Sequence, residues 1–446
     1  MSKEKKYWNE EMATIAADEL HDLHNKKFLP FIDYVFSKSE LYREKFKEVG
    51  VARRDIKSID DLSSLPFTDK QELRDSQLQK VPLGKHIACD PHDVVRYYSS
   101  SGTTGMPTYI GLTRNDINVW NELGCRFVWS CGLRPEDTVA MAVGAGGYFA
   151  GASFQGALEH FGVTVVPIGP GATERILAAF QHLGANSMLG TPSYALYFLE
   201  WVKKKGIDPK SLGCKKIIVG GEPGASDPHI RKKVQEGFGC TLMDGMGLGE
   251  VCADIWSECF KQDGMHFLGQ GLIHVEIIDH ETLKPIEDIK TGTTGELVYT
   301  SLFRECMPLI RYRTRDHVII NMDPCECGRS GMRIRCVGRT DDMLIVLGVN
   351  VYPTAVRDVV GTFQPKVNGI LEILLDQPGP SVEPPLRIKV EHAAGAGDLK
   401  ALKKEIEDAI RQKLVFRADV ELVSEGSLPR YEYKGALVRN VYEEKE

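Results

Sequence analysis

Nowhere in this chain of 446 residues does an apolar run approach the ~20 residues that a membrane-spanning helix needs. Its first residues, Met-Ser-Lys-Glu-Lys-Lys-Tyr-Trp, lead into acidic, amphipathic sequence rather than the apolar core of a secretory signal. No membrane partner is expected, and the cytoplasm is the expected compartment. Surplus positive charge is missing too. With a formal net charge of −7 and an isoelectric point near 6.0, no overall field draws in nucleic acid, so an anionic ligand must be held by a local arrangement. There is no even cysteine framework: the 11 cysteines are scattered over a long chain, which fits reduced thiols filling a core. No repeat is visible, and the proline-rich stretch from Pro378 to Pro385 reads as a loop, not a linker.

What the chain does have is 42% hydrophobic residues, ample for a sizeable core, in a length that suits two to three domains at ~150 residues each. Residues 7–50 carry helical periodicity, with Leu20, Leu23, Phe28, Phe31, Val35 and Phe36 on the apolar side. Helical and β patterns then alternate: a helix over 116–131, a strand over 138–143, a helix over 149–160, a strand over 163–168, a helix over 173–183 and a strand over 216–219. Such alternation predicts parallel sheets with helices on their faces and ligands beyond the strand C-termini.

The richest chemistry follows the short apolar run Val94 to Tyr98. Ser99, Ser100, Ser101, Gly102, Thr103, Thr104 and Gly105 combine hydroxyl donors with glycines that let backbone N–H groups approach an anion. That is the composition of a phosphate grip, although the lysine of a Walker loop is absent and the same run in isolation reads as a turn. The string Ser99 to Thr108 resembles the phosphate loop S-S-G-T-T-G-K-P-T of the phenylacetate–CoA ligases, a family of adenylate-forming enzymes. Met106 stands at the lysine of that pattern. Tyr42 to Phe46 and Leu65 to Lys70 also resemble the opening of that family.

The resemblance implies an α/β fold. A large N-terminal adenylating domain of parallel-rich sheets flanked by helices would cover 1–338, and a small mobile α+β C-terminal domain 339–446. It also implies roles for particular residues. Gly220, Gly221, Glu222 and Pro223 resemble the segment along the adenine; Asp244, Gly245 and Met246, leading to Glu250, resemble a second nucleotide segment. There Met246 replaces an aromatic and Gly249 a hydroxyl, while Glu250 keeps the carboxylate suited to Mg²⁺. Pro308 to Asp316 matches P-x-I-R-Y-R-T-x-D, which gives Asp316 the two ribose hydroxyls, a fitting task for a carboxylate. Gly338 to Asp342 matches the junction between the two domains, with Arg339 as phosphate contact and Asp341 as hinge. Lys434, in the terminal segment, is the catalytic lysine on the same grounds.

Gly144, Ala145, Gly146, Gly147 and Tyr148 follow a strand and, by the resemblance, shape the acyl pocket. Ala145 replaces a common aromatic, which argues against phenylacetate itself. Cys259 and His266 form one pair and Cys325 and Cys327 another, together a Cys₃His set suited to a closed structural zinc site.

The expected activity is an ATP-dependent, AMP-forming acid–CoA ligase working through an acyl-adenylate. Its expected cofactors and partners are ATP/AMP, Mg²⁺, coenzyme A, a small-molecule carboxylic acid and structural Zn²⁺, with a homodimer left open. Two alternatives stand beside it. One is an adenylating ligase for a small or hydroxylated acid or for another acceptor such as a deazaflavin cofactor; the other is a non-catalytic nucleotide-binding protein.

Overall fold

The computed structural model describes residues 5–100, 107–144, 149–346, 349–431 and 435–442. Its centre is an eleven-stranded sheet. In one half, strands Thr164–Pro167, Thr138–Met141, Ser187–Gly190, Lys216–Gly220 and Thr241–Leu248 lie side by side and parallel. The chain moves between them through helices Phe149–Phe161, Thr173–His182, Pro192–Lys204 and Pro228–Phe238. Two of these helices start on a side-chain cap followed by proline. Thr191 accepts the Tyr194 N–H, and Asp227 accepts the His229 and Ile230 N–H groups.

Thr241–Leu248 is the seam of the sheet. Its free edge pairs antiparallel with Cys252–Ser257, and Met265–Phe267, Arg333–Arg339, Tyr312–Asn321, Thr294–Ser301 and Ile273–Ile278 continue antiparallel. The alternating part of the sequence is thus parallel as expected, while the rest of the sheet is not. Only Gly249, Glu250 and Val251 separate Leu248 from Cys252, and a connection that short cannot make the crossover a parallel pair requires.

Apolar side chains fill both faces. Phe180, Tyr194, Phe198 and Phe238 pack under the parallel half, and Trp120, Ile255, Trp256 and Tyr299 under the antiparallel half. The helical lead-in forms Ala17–Lys38 and Glu40–Glu48, which bury Phe28, Phe31, Ile32, Val35, Tyr42 and Phe46 against Leu302 and Ile310. No described helix is long and apolar enough to cross a membrane.

After Arg339 the strands belong to smaller sheets. Leu344–Val346 pairs with Val349–Val351 and with Ser381–Val382. A four-stranded sheet runs in the order Ala418–Ser424, Leu386–His392, Val367–Leu375, Val438–Asn440, with helices Pro353–Gly361 and Leu399–Leu414 sharing its core. The central strand Val367–Leu375 escapes a sequence reading because Asn368 and Gly369 break its alternation; Gly369 has φ +83 within a register shift.

Candidate active site

Strands Arg96–Ser99 and Tyr109–Leu112 form an antiparallel hairpin that carries the hydroxyl-rich loop at its tip. Ser100 N–H donates to the Thr108 carbonyl at 2.9 Å, and Thr108 N–H donates to Ser100 Oγ at 3.3 Å. Ser100, buried, therefore closes the base of the loop. Ser101, Gly102, Thr103, Thr104, Gly105 and Met106 lie outside the described residues, as do Ala145, Gly146, Gly147, Tyr148 and Lys434. Gly144 lies just beyond strand Thr138–Met141, where a Cβ would stand 2.9 Å from Pro170 Cδ, so glycine is needed for packing there.

Glu250 sits in the tight turn after the seam strand and is 4% exposed. Lys70 Nζ lies 3.1 Å from its Oε1, yet the direction is wrong for a hydrogen bond, and among the described residues Oε1 has no such partner. A buried carboxylate oxygen with an open lone pair fits a hard divalent cation such as Mg²⁺. The sequence reading missed Lys70. The signal was the string Leu65 to Lys70, and the fold explains its delivery. Thr68 bridges to Tyr312, donating its N–H to Arg311 O at 3.0 Å and accepting the Arg313 N–H at 2.9 Å. This backbone bridge carries the start of helix Lys70–Gln79 to the turn that holds Glu250.

Asp316 lies on Tyr312–Asn321 directly opposite Arg339. Burial pushes its carboxyl up to about 6, against the pull of Arg339, whose Nη1 is 3.8 Å from Oδ1, and of the Thr314 hydroxyl. The preceding residue, Arg315, is held at φ +66, an unusual backbone state for a non-glycine residue. Arg339 grips Asp341 with a fork, Nε to Oδ1 at 2.9 Å and Nη2 to Oδ2 at 2.7 Å. The expected phosphate contact and the expected hinge are therefore bonded to each other. The neighbouring Arg311 and Arg313 pair with Glu276 and Glu296, which ties this strand to the rest of the sheet.

Gly220 and Gly245 face each other across parallel strands. A Cβ on Gly220 would meet Gly245 O at 2.6 Å, and one on Gly245 would meet Phe127 Cζ at 2.2 Å. Asp244 is buried, and its N–H donates to Glu258 Oε2 at 2.9 Å; burial first and Glu258 second push its carboxyl up. Partly buried Met246 pairs with Trp256. Gly221 sits at φ +84 in the turn. Glu222 accepts the Ser193 N–H at 2.8 Å on Oε1 and the Gly435 N–H at 2.6 Å on Oε2. Pro223 O accepts Arg357 Nη1–H at 2.9 Å. The segment expected to lie along the adenine is thus hydrogen-bonded to the C-terminal part, at Arg357 and at Gly435, the residue next to Lys434.

The four expected zinc ligands converge. Their donor atoms all lie within 4.8 Å of one another, with Cys259 Sγ 3.8 Å from Cys325 Sγ and Cys327 Sγ 3.4 Å from His266 Nε2. Ligands held ~2.3 Å from a tetrahedral zinc stand at about these separations. Cys259 follows strand Cys252–Ser257, His266 lies on Met265–Phe267, and the Cys325 and Cys327 loop joins Tyr312–Asn321 to Arg333–Arg339.

Residues 32–302 match the AMP-binding enzyme family, and residues 348–440 match the AMP-binding enzyme C-terminal domain. The chain belongs to the AMP-binding enzymes, on their phenylacetate–CoA ligase branch. A phenylacetate-coenzyme A ligase of Thermus thermophilus is 33% identical over 97% of this chain and 98% of that one. A crystal structure of 2-hydroxyisobutyryl-CoA ligase in the postadenylation state, in complex with 2-HIB-AMP, matches with a TM-score of 0.90 at 25% identity, over 100% of this chain and 95% of that one. The same ligase in the thioesterification state, with 2-HIB-AMP and CoA, matches with 0.72 at 27% identity, over 98% and 92%. As a member of this branch, the chain is an AMP-forming acid–CoA ligase that works through an acyl-adenylate.

Proposed function

We propose that the site divides the ligase reaction between two positions of the C-terminal part. In the first, a carboxylate oxygen of the acid attacks the α-phosphorus of ATP, the bond to the β-phosphate oxygen breaks and pyrophosphate leaves. Asp316 receives the ribose hydroxyls, the loop of residues 99–105 receives the phosphates, and Lys434 stabilises charge between acid and α-phosphate. A Mg²⁺ ion at Glu250 would neutralise charge on the phosphate oxygens. In the second position residues 339–446 have turned about Asp341. The CoA sulfur then attacks the acyl carbon, its proton is lost to solvent and AMP departs.

The observation that supports this reading is the 2.6 Å hydrogen bond from Gly435 N–H to Glu222, which holds the neighbour of Lys434 against the segment proposed to lie along the adenine. The closer likeness to the postadenylation structure than to the thioesterification structure supports it. Cys259, His266, Cys325 and Cys327 would hold a closed structural zinc, fastening the loop before Arg333–Arg339 to the centre of the sheet. Pyrophosphate release from ATP with a panel of acids tests the first step, and CoA dependence of AMP release tests the acceptor. AMP released equally with and without CoA would assign another acceptor.

A further inference from the structure

We infer that Cys89 and Cys306 form a site of reversible oxidation: a peroxide converts the two thiols into a disulfide, which slows the ligase by displacing the hairpin that carries the hydroxyl-rich loop.

The two thiols are hydrogen-bonded to each other, and the backbone on either side of them is already joined. Ala88 N–H donates to Cys306 O at 2.9 Å. The Tyr34 hydroxyl lies 3.0 Å from Ala88 O and 2.8 Å from Glu305 O, so one donor spans the residues that precede both cysteines. Asp116, buried on helix Arg114–Ser130, accepts the N–H groups of Glu305 at 2.8 Å and Cys306 at 3.1 Å. Two cysteines far apart in the chain are thus held side by side, which is the first requirement for a disulfide. The placement also lets the bond be felt. A Cβ on Gly111 would stand 2.7 Å from Cys306 Sγ, and Gly111 N–H donates to Met307 Sδ at 3.2 Å. Gly111 lies on Tyr109–Leu112, one arm of the hairpin, so drawing the Cys306 sulfur onto Cys89 shifts the packing beneath that arm.

Burial divides the chemistry between the two thiols. Cys89 is partly exposed, whereas Cys306 is buried. The hydrogen bond with Cys306 pulls the Cys89 thiol below its ordinary value, against burial and the charge of Asp116. The same bond, and then burial, pushes the Cys306 thiol up, so Cys306 keeps its proton. An accessible thiolate beside a second thiol is the pattern of a redox-sensing pair. The Cys89 thiolate attacks one oxygen of hydrogen peroxide, the O–O bond breaks, and the hydroxide released takes up the proton that Cys89 had shed. The Cys306 sulfur then attacks the sulfur of the Cys89 sulfenic acid. The S–S bond forms, the S–O bond breaks, and hydroxide leaves with the Cys306 proton as a second water. The thiols give up two electrons, which reduce the peroxide, and a dithiol reductant reverses the change by exchange.

The test treats the full chain with a small excess of hydrogen peroxide, maps linked peptides by mass spectrometry and times pyrophosphate release before and after dithiothreitol. Wild type should yield a Cys89–Cys306 linked peptide and lose rate by about tenfold or more, as a small displacement remote from the chemistry can cause. Dithiothreitol should remove the link and restore the rate. Cys89→Ser should keep its rate under the same treatment. Cys306→Ser should stop at the Cys89 sulfenic acid, which dimedone labels. Wild type without the linked peptide overturns the assignment, and this measurement needs no variant. Equal loss of rate in wild type and Cys89→Ser overturns it too, since the damage then lies at another thiol, and a linked protein that keeps its full rate overturns the effect on the ligase. Absence of pyrophosphate release from untreated protein would instead count against the ligase reading, while the linked peptide still decides the oxidation.

Discussion

Glu222 Oε2 accepts the Gly435 N–H at 2.6 Å while Oε1 of the same carboxylate accepts the Ser193 N–H at 2.8 Å. One side chain thus ties the C-terminal part to the N-terminus of helix Pro192–Lys204. Arg357 on Pro223 O and Arg430 on Glu200, at 3.2 Å, add two more ties. Each must break if residues 339–446 are to turn.

Lys434→Ala should slow pyrophosphate release by ~10²-fold or more and leave thiolysis of a supplied acyl-adenylate nearly intact. Glu222→Ala, which frees Gly435, should slow the first step by roughly tenfold through loss of positioning and spare the second. Asp341→Pro, which fixes φ near −65° and removes the partner of Arg339, should affect the two half-reactions unequally. Timing each half-reaction separately checks all three, and equal losses in both steps for Lys434→Ala would make that lysine structural.

ATP affinity should depend on pH through Asp316. Its carboxyl is raised to about 6 in the free protein, and the ribose hydroxyls favour the ionised form. Above pH 6 the group is already ionised and affinity is flat; below it, binding must first expel a proton, so affinity falls by up to ~tenfold per unit. Asp316→Ala should abolish this slope and weaken binding by roughly 1.5–3 kcal/mol per hydroxyl. Calorimetry at several pH values decides, and a wild-type affinity that is flat from pH 7 to 5 would remove Asp316 from the ribose.

Lys70→Ala leaves the buried Glu250 carboxylate without its 3.1 Å cation. The free protein should lose about 1–3 kcal/mol of stability, and Mg²⁺ with ATP should restore part of it. Melting curves with and without the nucleotide check this, and identical shifts in both would place Mg²⁺ elsewhere.

Purified protein should carry about one zinc per chain, lost in Cys325→Ser/Cys327→Ser together with stability. Elemental analysis that finds folded wild type free of metal would refute the zinc assignment.

Much of the site could be read along the chain because its parts are contiguous strings. Pro308 to Asp316 and Gly338 to Asp342 each carry local chemistry in order, and the register pairing Asp316 with Arg339 then brings them together. The alternation from residue 116 to 219 likewise yielded the parallel half of the sheet, since hydrophobic period is a local property. Asp254, fully buried and without a hydrogen-bond partner among the described residues, sits in an apolar stretch, where a sequence offers nothing to separate it from a satisfied core residue.

The sequence by itself determined the chemistry available: a hydroxyl-rich loop, a carboxylate expected at the ribose, an expected junction and two pairs of soft ligands. Tertiary structure alone decided that the sheet turns antiparallel after Leu248, that Lys70 stands beside Glu250, and that Cys259 meets Cys325 across 66 positions of chain. It alone left the Asp254 carboxylate without a hydrogen-bond partner among the described residues. Residue type and periodicity are carried by neighbours in sequence, whereas burial, register and an unmet hydrogen bond arise only from what packs around a group in space.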